Sequence, residues 1–402
     1  MREIVEDEPE RLPVNLGKEQ SRHLANIRDI AIKLSEIIES SVSSQDIPNH
    51  ILHQLDKIRK QADELSRYDK LIYWLEVSED TEHETTLYAI PKDLDERLLS
   101  DQWDRNIPII LTSGTLSTNG DFTHSKRILG LSTTKRLSET SKPSPFNHWD
   151  NSRLYISENV PYPNPSDPDY ILSLTNEIER LIRAAHGHTA VLFTSHNVMG
   201  KVFSKLEKRN LSYPLYKLGR GDLNAIEKFR HSGNGVLFAA GSMWEGVDIP
   251  GDTLSLLIIV KLPFPVPDPI LDYERTQYGD QETFLMKVII PEMLIKLKQG
   301  FGRLLRKETD TGVIAILDSR VRVTGTFRKA VIKALPTTAN SVENGLRQSG
   351  GGKARTAFSA ELATIDETDL KQICYIRITN RITDIISFLR AKKDPKYFES
   401  RG

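Results

Sequence analysis

Four segments carry side chains at spacings that could act on a phosphorylated ligand. Gln299-Gly-Phe-Gly-Arg303-Leu-Leu-Arg306 sets two arginines three residues apart, with Gln299 four residues before the first. On a helix these side chains share a face. Two converging guanidiniums suit the phosphate tail of a nucleotide, where arginine neutralises transition-state charge. Basic residues near a helix C-terminus also favour the helix dipole, and that alternative stays open. Gly241-Ser242-Met243-Trp244-Glu245-Gly246-Val247-Asp248-Ile249-Pro250-Gly251 packs two carboxylates and a tryptophan between glycines. Glycine lets the backbone approach a ligand closely, and the carboxylates could hold a metal, orient a water or pair with an arginine. A turn accounts for the glycines and the proline but not for Trp244, Glu245 and Asp248. Thr194-Ser195-His196 follows an apolar run; hydroxyls and N–H groups at a helix start suit a phosphate oxygen, or serve as a plain N-cap. Ser113-Gly114-Thr115 ends another apolar run.

Strands must precede these segments and helices must follow them. Apolar runs predict strands at Ala190–Thr194, near Leu215, at Val236–Ala239, Leu254–Val260 and Val313–Leu317, with helices at 168–185, 197–209, 222–230 and 282–305. Short buried strands alternating with helices imply an α/β, doubly wound, mostly parallel sheet whose ligand edge lies at the strands' C-terminal ends. Pro108–Thr112 reads as one more short buried strand, and Leu71–Val77 with Thr85–Ile90 as a strand pair. Leu24, Ile27, Ile30, Ala31, Leu34, Ile37 and Ile38 recur at helical steps, as do Ile51, Leu52, Leu55, Ile58, Ala62 and Leu65. They predict an antiparallel helical hairpin over 19–68 held by simple core packing.

Residues 133–168 are rich in Ser, Pro, Thr and Asn and read as a linker. Lys261–Pro269 holds four prolines that stiffen a loop at a sheet edge or groove. Arg320, Arg322, Arg328, Lys329 and Lys333 could track a phosphate backbone, or simply face solvent. His186-Gly-His188 lacks a third ligand nearby and reads as a turn, not a metal site. Arg347–Lys353 reads as a Gly-rich tether, and 367–391 as a modest helical tail.

The 402 residues balance 54 Lys and Arg against 55 Asp and Glu, which excludes a basic coat or an acidic tail as the main device. The single cysteine, Cys374, excludes a disulfide framework, a Cys-based zinc site and a four-cysteine iron–sulfur cluster within this chain. It fits a reducing, cytoplasmic setting. No apolar run approaches the ~20 residues of a membrane span, so no membrane contact is expected.

Taken in order, the segments resemble the C-terminal portion of superfamily 2 DNA helicases of the DinG/XPD type, over roughly residues 20–336. Thr112-Ser-Gly-Thr-Leu116 looks like motif III, Ser144-Pro145-Phe146 like the entry to the second RecA-like domain, and Leu192–Ser195 like motif IV. Gly241–Gly251 resembles motif V, and Gln299–Arg306 matches the motif VI pattern Q-x-x-G-R-x-x-R. The resemblance implies Arg303 and Arg306 as arginine fingers, Gln299 at the same interdomain cleft, and Glu245 and Asp248 coupling nucleotide to DNA. It implies Thr194, Ser195, Gly241, Ser242 and Trp244 in contact with single-stranded DNA, and Ser113, Gly114 and Thr115 as coupling residues. The organisation it implies is an arch-like helical segment and strand pair (1–92), a remnant of the first RecA-like motor domain (93–130) and a linker (131–165). The second RecA-like domain (166–340) and a tether with a helical tail (341–402) follow.

ATP, Mg²⁺ and 5′-to-3′ movement on DNA come with the family. No G-x-x-x-x-G-K-[ST] and no D-E-A-H occurs in the sequence. An N-terminal ATP-binding half is therefore the expected partner, and the chain alone is expected to be inactive. The alternative is a non-catalytic module that binds single-stranded nucleic acid.

Overall fold

The computed structural model describes residues 11–41, 49–77, 85–105, 107–118, 120–142, 151–219, 223–241, 253–304, 310–335 and 377–398. The chain opens with strand β1 (Arg11–Val14), helices α1 (Lys18–Ser41) and α2 (Asn49–Leu65), then β2 (Leu71–Val77) and β3 (Thr85–Pro91). The three strands form an antiparallel sheet in the order β1-β2-β3. Trp74 stacks on its cross-strand partner Tyr88 with ring centroids 5.5 Å apart.

The helical hairpin forms as predicted, tied by an ion pair from Arg28 to Asp63 at 3.0 Å. Its packing differs from the expectation. Ala31 and Ala62 are buried at 3% and 5%, whereas Ile27, Ile30, Leu34 and Ile37 on α1 and Ile51 and Ile58 on α2 stay exposed. The apolar stripe is wider than one partner helix can cover.

Helix α3 (Leu94–Leu98) runs into a π-helical turn, Leu99–Trp103, and α4 (Thr123–Ile128) follows. Between them Pro108–Thr112 is unpaired and exposed, with Ile110 at 90%, so the expected strand is absent. A strand needs a neighbour to bond with, and none of the described strands lies alongside it.

The remaining elements build the main sheet: β4 (Ser152–Ile156), α5 (Pro168–Ala184), β5 (Thr189–Phe193), α6 (His196–Glu207), β6 (Leu215–Lys217), α7 (Leu223–Ser232), β7 (Val236–Ala240) and β8 (Leu256–Ile259). Then come α8 (Pro269–Thr276), α9 (Gln281–Phe284), α10 (Ile290–Phe301), β9 (Gly312–Ile316), α11 (Arg328–Ala334), β10 (Arg377–Thr379) and α12 (Ile382–Lys392). Seven strands pair in the order β10-β4-β9-β8-β5-β7-β6, every pairing parallel. This is the doubly wound α/β sheet that the strand–helix alternation implies.

Side chains alternate across it, as the pleat requires. Ala190, Leu192, Leu237 and Ala239 enter a core with Phe229, Leu294, Leu297 and Val331. Val191, Phe193, Val236 and Phe238 enter the opposite core with Leu174, Met199, Val202 and Phe388. Two strands come from segments read otherwise: β4 lies within the expected linker, and β10 within the expected helical tail.

The long helix expected at 282–305 is interrupted by a π-helical turn, Leu285–Ile289, just ahead of Pro291. Proline has no N–H to donate and its ring crowds the carbonyl four residues back, so a wider turn accommodates it. Helix α10 ends at Phe301 with Gly302 as its C-cap. Arg303 therefore lies in the turn beyond it, with its N–H on the Gly300 carbonyl at 3.1 Å, and not on the helical face shared with Gln299.

Candidate functional site

The C-terminal ends of β5 and β7 bring part of the predicted set together. Phe193 and Ala240 are paired neighbours, so Thr194 and Ser195 continue beside Gly241. Ser195 is the N-cap of α6 in extended conformation, and its Oγ accepts from the Val198 N–H at 3.4 Å. The capping role holds here, as Ser at this position commonly provides. Gly241 has φ of +64°, and a Cβ built there would lie 3.2 Å from Nε2 of His196. The left-handed backbone and the close ring each favour glycine. His196 is thus part of this corner although its residue type alone did not single it out; its place as the first helical residue after a strand was the available signal.

A second cluster sits where β8 and β9 end. Asp318 is fully buried and takes the Leu262 N–H at 2.9 Å, fixing the start of the proline-rich loop. It also holds Arg320 with two bonds, Nε–Oδ1 at 2.9 Å and Nη2–Oδ2 at 2.6 Å. Burial works against the Arg320 charge, but the Asp318 carboxylate outweighs it and keeps the guanidinium above its ordinary value. That guanidinium lies over the rings of Phe264 at 4.8 Å, Tyr162 at 5.7 Å and Phe327 at 5.9 Å. Arg320 is therefore committed within this cluster, which narrows the phosphate-tracking reading of the basic residues around it.

Helix α10 meets the chain just after the Ser113–Thr115 segment. Lys298 Nζ donates to the Ser117 carbonyl at 3.0 Å, and burial lowers the lysine's pKa. Ser113 Oγ lies 3.1 Å from Thr115 Oγ1 and accepts from the Thr115 N–H at 3.2 Å, a closed hydroxyl turn around exposed Gly114. Among the described residues, Gln299 Oε1 and Thr118 Oγ1 are buried without a hydrogen-bond partner. Ser242, Trp244, Glu245, Asp248 and Arg306 lie outside the described residues. The His186–His188 turn expected from the sequence is present, with φ of 51° and 42° at the two histidines flanking Gly187.

Comparison with known proteins bears on the same residues. Residues 178–338 match the family of the helicase C-terminal domain. The chain is 28% identical over 333 residues to the 3′-5′ exonuclease DinG of Bacillus subtilis, covering 80% of this chain and 34% of that protein. It is 32% identical over 317 residues to the ATP-dependent DNA helicase YoaA of Haemophilus influenzae, covering 77% of this chain and 47% of the relative. The chain thus spans between a third and a half of the length of these two relatives. A solved structure of apo XPD superposes with a TM-score of 0.52 at 19% identity, covering 83% of this chain and 64% of that one, which shows a shared fold. Among the described residues no helix is long and apolar enough to cross a membrane. The seven-stranded parallel sheet, the matched residues and these relatives agree: residues 178–338 match the helicase C-terminal domain, and the chain is similar to the C-terminal portion of DinG- and YoaA-type DNA helicases, with a fold shared with XPD.

Proposed function

We propose that this chain is the second motor domain, with an arch-like helical hairpin, of a DNA helicase that uses ATP and Mg²⁺ and moves 5′ to 3′ along single-stranded DNA. The observation that carries the reading is the helicase C-terminal match over residues 178–338, which includes the strand ends holding Thr194, Ser195 and Gly241. In this reading the DNA strand crosses those ends. The Ser195 hydroxyl, already accepting from Val198, keeps its own proton to donate to a phosphate oxygen. The start of α6 and the bare backbone of Gly241 let a phosphate come close. Ser242 and Trp244 would extend the contact, while Glu245 and Asp248 would link it to the nucleotide.

The nucleotide would lie at the end of α10. Gln299 Oε1, buried and without a partner among the described residues, is an acceptor that a ligand hydroxyl or a water would satisfy. Arg303 and Arg306 would meet the developing phosphate charge. ATP supplies the phosphoryl group whose release drives movement. Its phosphate cradle would come from a first motor domain, because the 402 residues contain neither G-x-x-x-x-G-K-[ST] nor D-E-A-H. Lys298 would pass changes at α10 to the Ser113, Gly114 and Thr115 segment through the Ser117 carbonyl.

The deciding experiment measures ATP hydrolysis and single-stranded DNA binding by the purified chain. The expected result is DNA binding that weakens as salt rises, with no hydrolysis. DNA-stimulated hydrolysis by this chain alone would sink the half-motor reading, and absence of DNA binding would sink the nucleic-acid reading.

A further inference from the structure

The loop after β4 carries an aromatic ring that the motor-domain reading leaves unused. Tyr162 stands between Pro161 and Pro163 and is 63% exposed. A single exposed aromatic needs no explanation; this one is held rigid in three ways. Proline fixes its own φ and drives the preceding residue to extended backbone, so the Pro-Tyr-Pro stretch is stiff. The loop's root is pinned, because Val160 is fully buried and Arg322 donates to the carbonyls of both Ser157 and Val160. The ring itself lies 5.7 Å from the Arg320 guanidinium, which Asp318 clamps and Phe264 backs at 4.8 Å.

A rigid ring seated on an immobilised cation, with most of its surface open, suits a flat π partner. A nucleobase is such a partner, and every base has a π face. Because the ring is ordered beforehand, little conformational freedom is lost on stacking. Its position fits as well. Strand β4 is three steps from β5 in the order β4-β9-β8-β5. At strand spacings near 4.8 Å this is about 15 Å along the same C-terminal edge that carries Thr194, Ser195 and Gly241.

We propose that Tyr162, held by Pro161, Pro163 and Arg320, is a base-stacking platform for single-stranded nucleic acid crossing this edge. The inference rests on the strand-binding reading given above. It adds a contact to the bases where that reading has contacts to phosphates.

The test is fluorescence anisotropy of the full chain with a labelled oligothymidylate over a series of salt concentrations. Tyr162→Ala should bind about tenfold more weakly, as expected for one lost base–aromatic stack. Its slope of log affinity against log salt should match the wild type, because stacking releases no counterions. Tyr162→Trp should restore the affinity. An oligonucleotide of abasic residues, which keeps the phosphates and lacks bases, should bind wild type and Tyr162→Ala alike. Coincident thermal melts establish that the alanine variant is folded, as the exposure of Tyr162 leads one to expect. Equal affinity of wild type and Tyr162→Ala for oligothymidylate would overturn the platform and leave the strand-binding reading standing. No binding by the wild type would overturn both.

Discussion

Burial governs the acid response of His124. The residue is 8% exposed, and its Nδ1 sits 3.3 Å from Nη2 of Arg127, which is itself ion-paired with Glu274 on α8. Burial first, and then the Arg127 charge, hold its pKa down to about 4 from 6.5, with Asp121 acting the other way. The unfolded chain therefore takes up a proton at higher pH than the folded one. The neutral histidine costs nothing above pH 6.5, and stability falls as pH drops from 6.5 towards about 4. The loss is at most about 1.4 kcal/mol per pH unit across that window. Urea midpoints measured through the same window should drop more steeply for the wild type than for His124→Gln. Parallel profiles would show that another group sets the acid response. His124 did not stand out in the sequence, and Leu317-Asp-Ser-Arg320 stood out by its spacing after Gln299–Arg306, not as an ion pair. Burial is not visible in a residue's type, and the two-residue spacing of Asp318 and Arg320 becomes an ion pair only once β9 has ended and the chain has turned.

At the scale of elements, one long side chain bridges α10 and the Ser113–Ser117 segment. Lys298 carries its charge into a half-buried position to reach the Ser117 carbonyl. Replacing it with Met keeps an apolar stem of similar length and removes both the donor and the cost of burying a charge. Lys298→Met should leave the melting temperature nearly unchanged while amides at 113–118 exchange hydrogen faster. Unaltered protection there would mean that other contacts hold the segment. The elements around this junction differ in how readable they were. Strands β5, β7, β8 and β9 are continuous apolar runs between turn residues, which is the pattern of a strand buried on both faces. Strand β10 is three residues long and β4 is a five-residue Ser-Arg-Leu-Tyr-Ile run amid Ser, Pro and Asn, too short and too polar at one end to show a period. Pro108–Thr112 has the opposite character: its composition is that of a strand, but strand formation depends on a neighbour that sequence does not specify. Of the candidate site, the motif order was legible, whereas the bend that takes Arg303 off the α10 axis follows from Gly302 as C-cap and was not.

Across the whole molecule, the main sheet depends on the far end of the chain. Strand β10 pairs with β4 and becomes the sheet's outer edge, only three residues long, as β6 is at the other side. Short edge strands limit unwanted pairing with other chains. Helix α12 then places Ile385, Phe388 and Leu389 into the core shared with α5, and Arg153 lies 4.3 Å over the Phe388 ring. Beyond it, Lys393 donates to the Thr311 carbonyl at 2.9 Å, and Tyr397 donates to that of Ala185 at 2.8 Å while stacking on His188 at 4.0 Å. Residues 377–398 thus touch the sheet's edge, its face and the turn ahead of β5. Removing 377–402 would withdraw three large apolar side chains at roughly 1.5–3 kcal/mol each. It would also open the longer edge of β4. Against a total stability of order 5–15 kcal/mol, that loss should leave the truncated chain aggregated or melting far below the full chain. Soluble yield and a thermal melt of the two chains side by side measure it. Equal melting temperatures would make the tail an appendage; the expected collapse would make it part of the main sheet's fold, although residues 336–376 lie between it and α11.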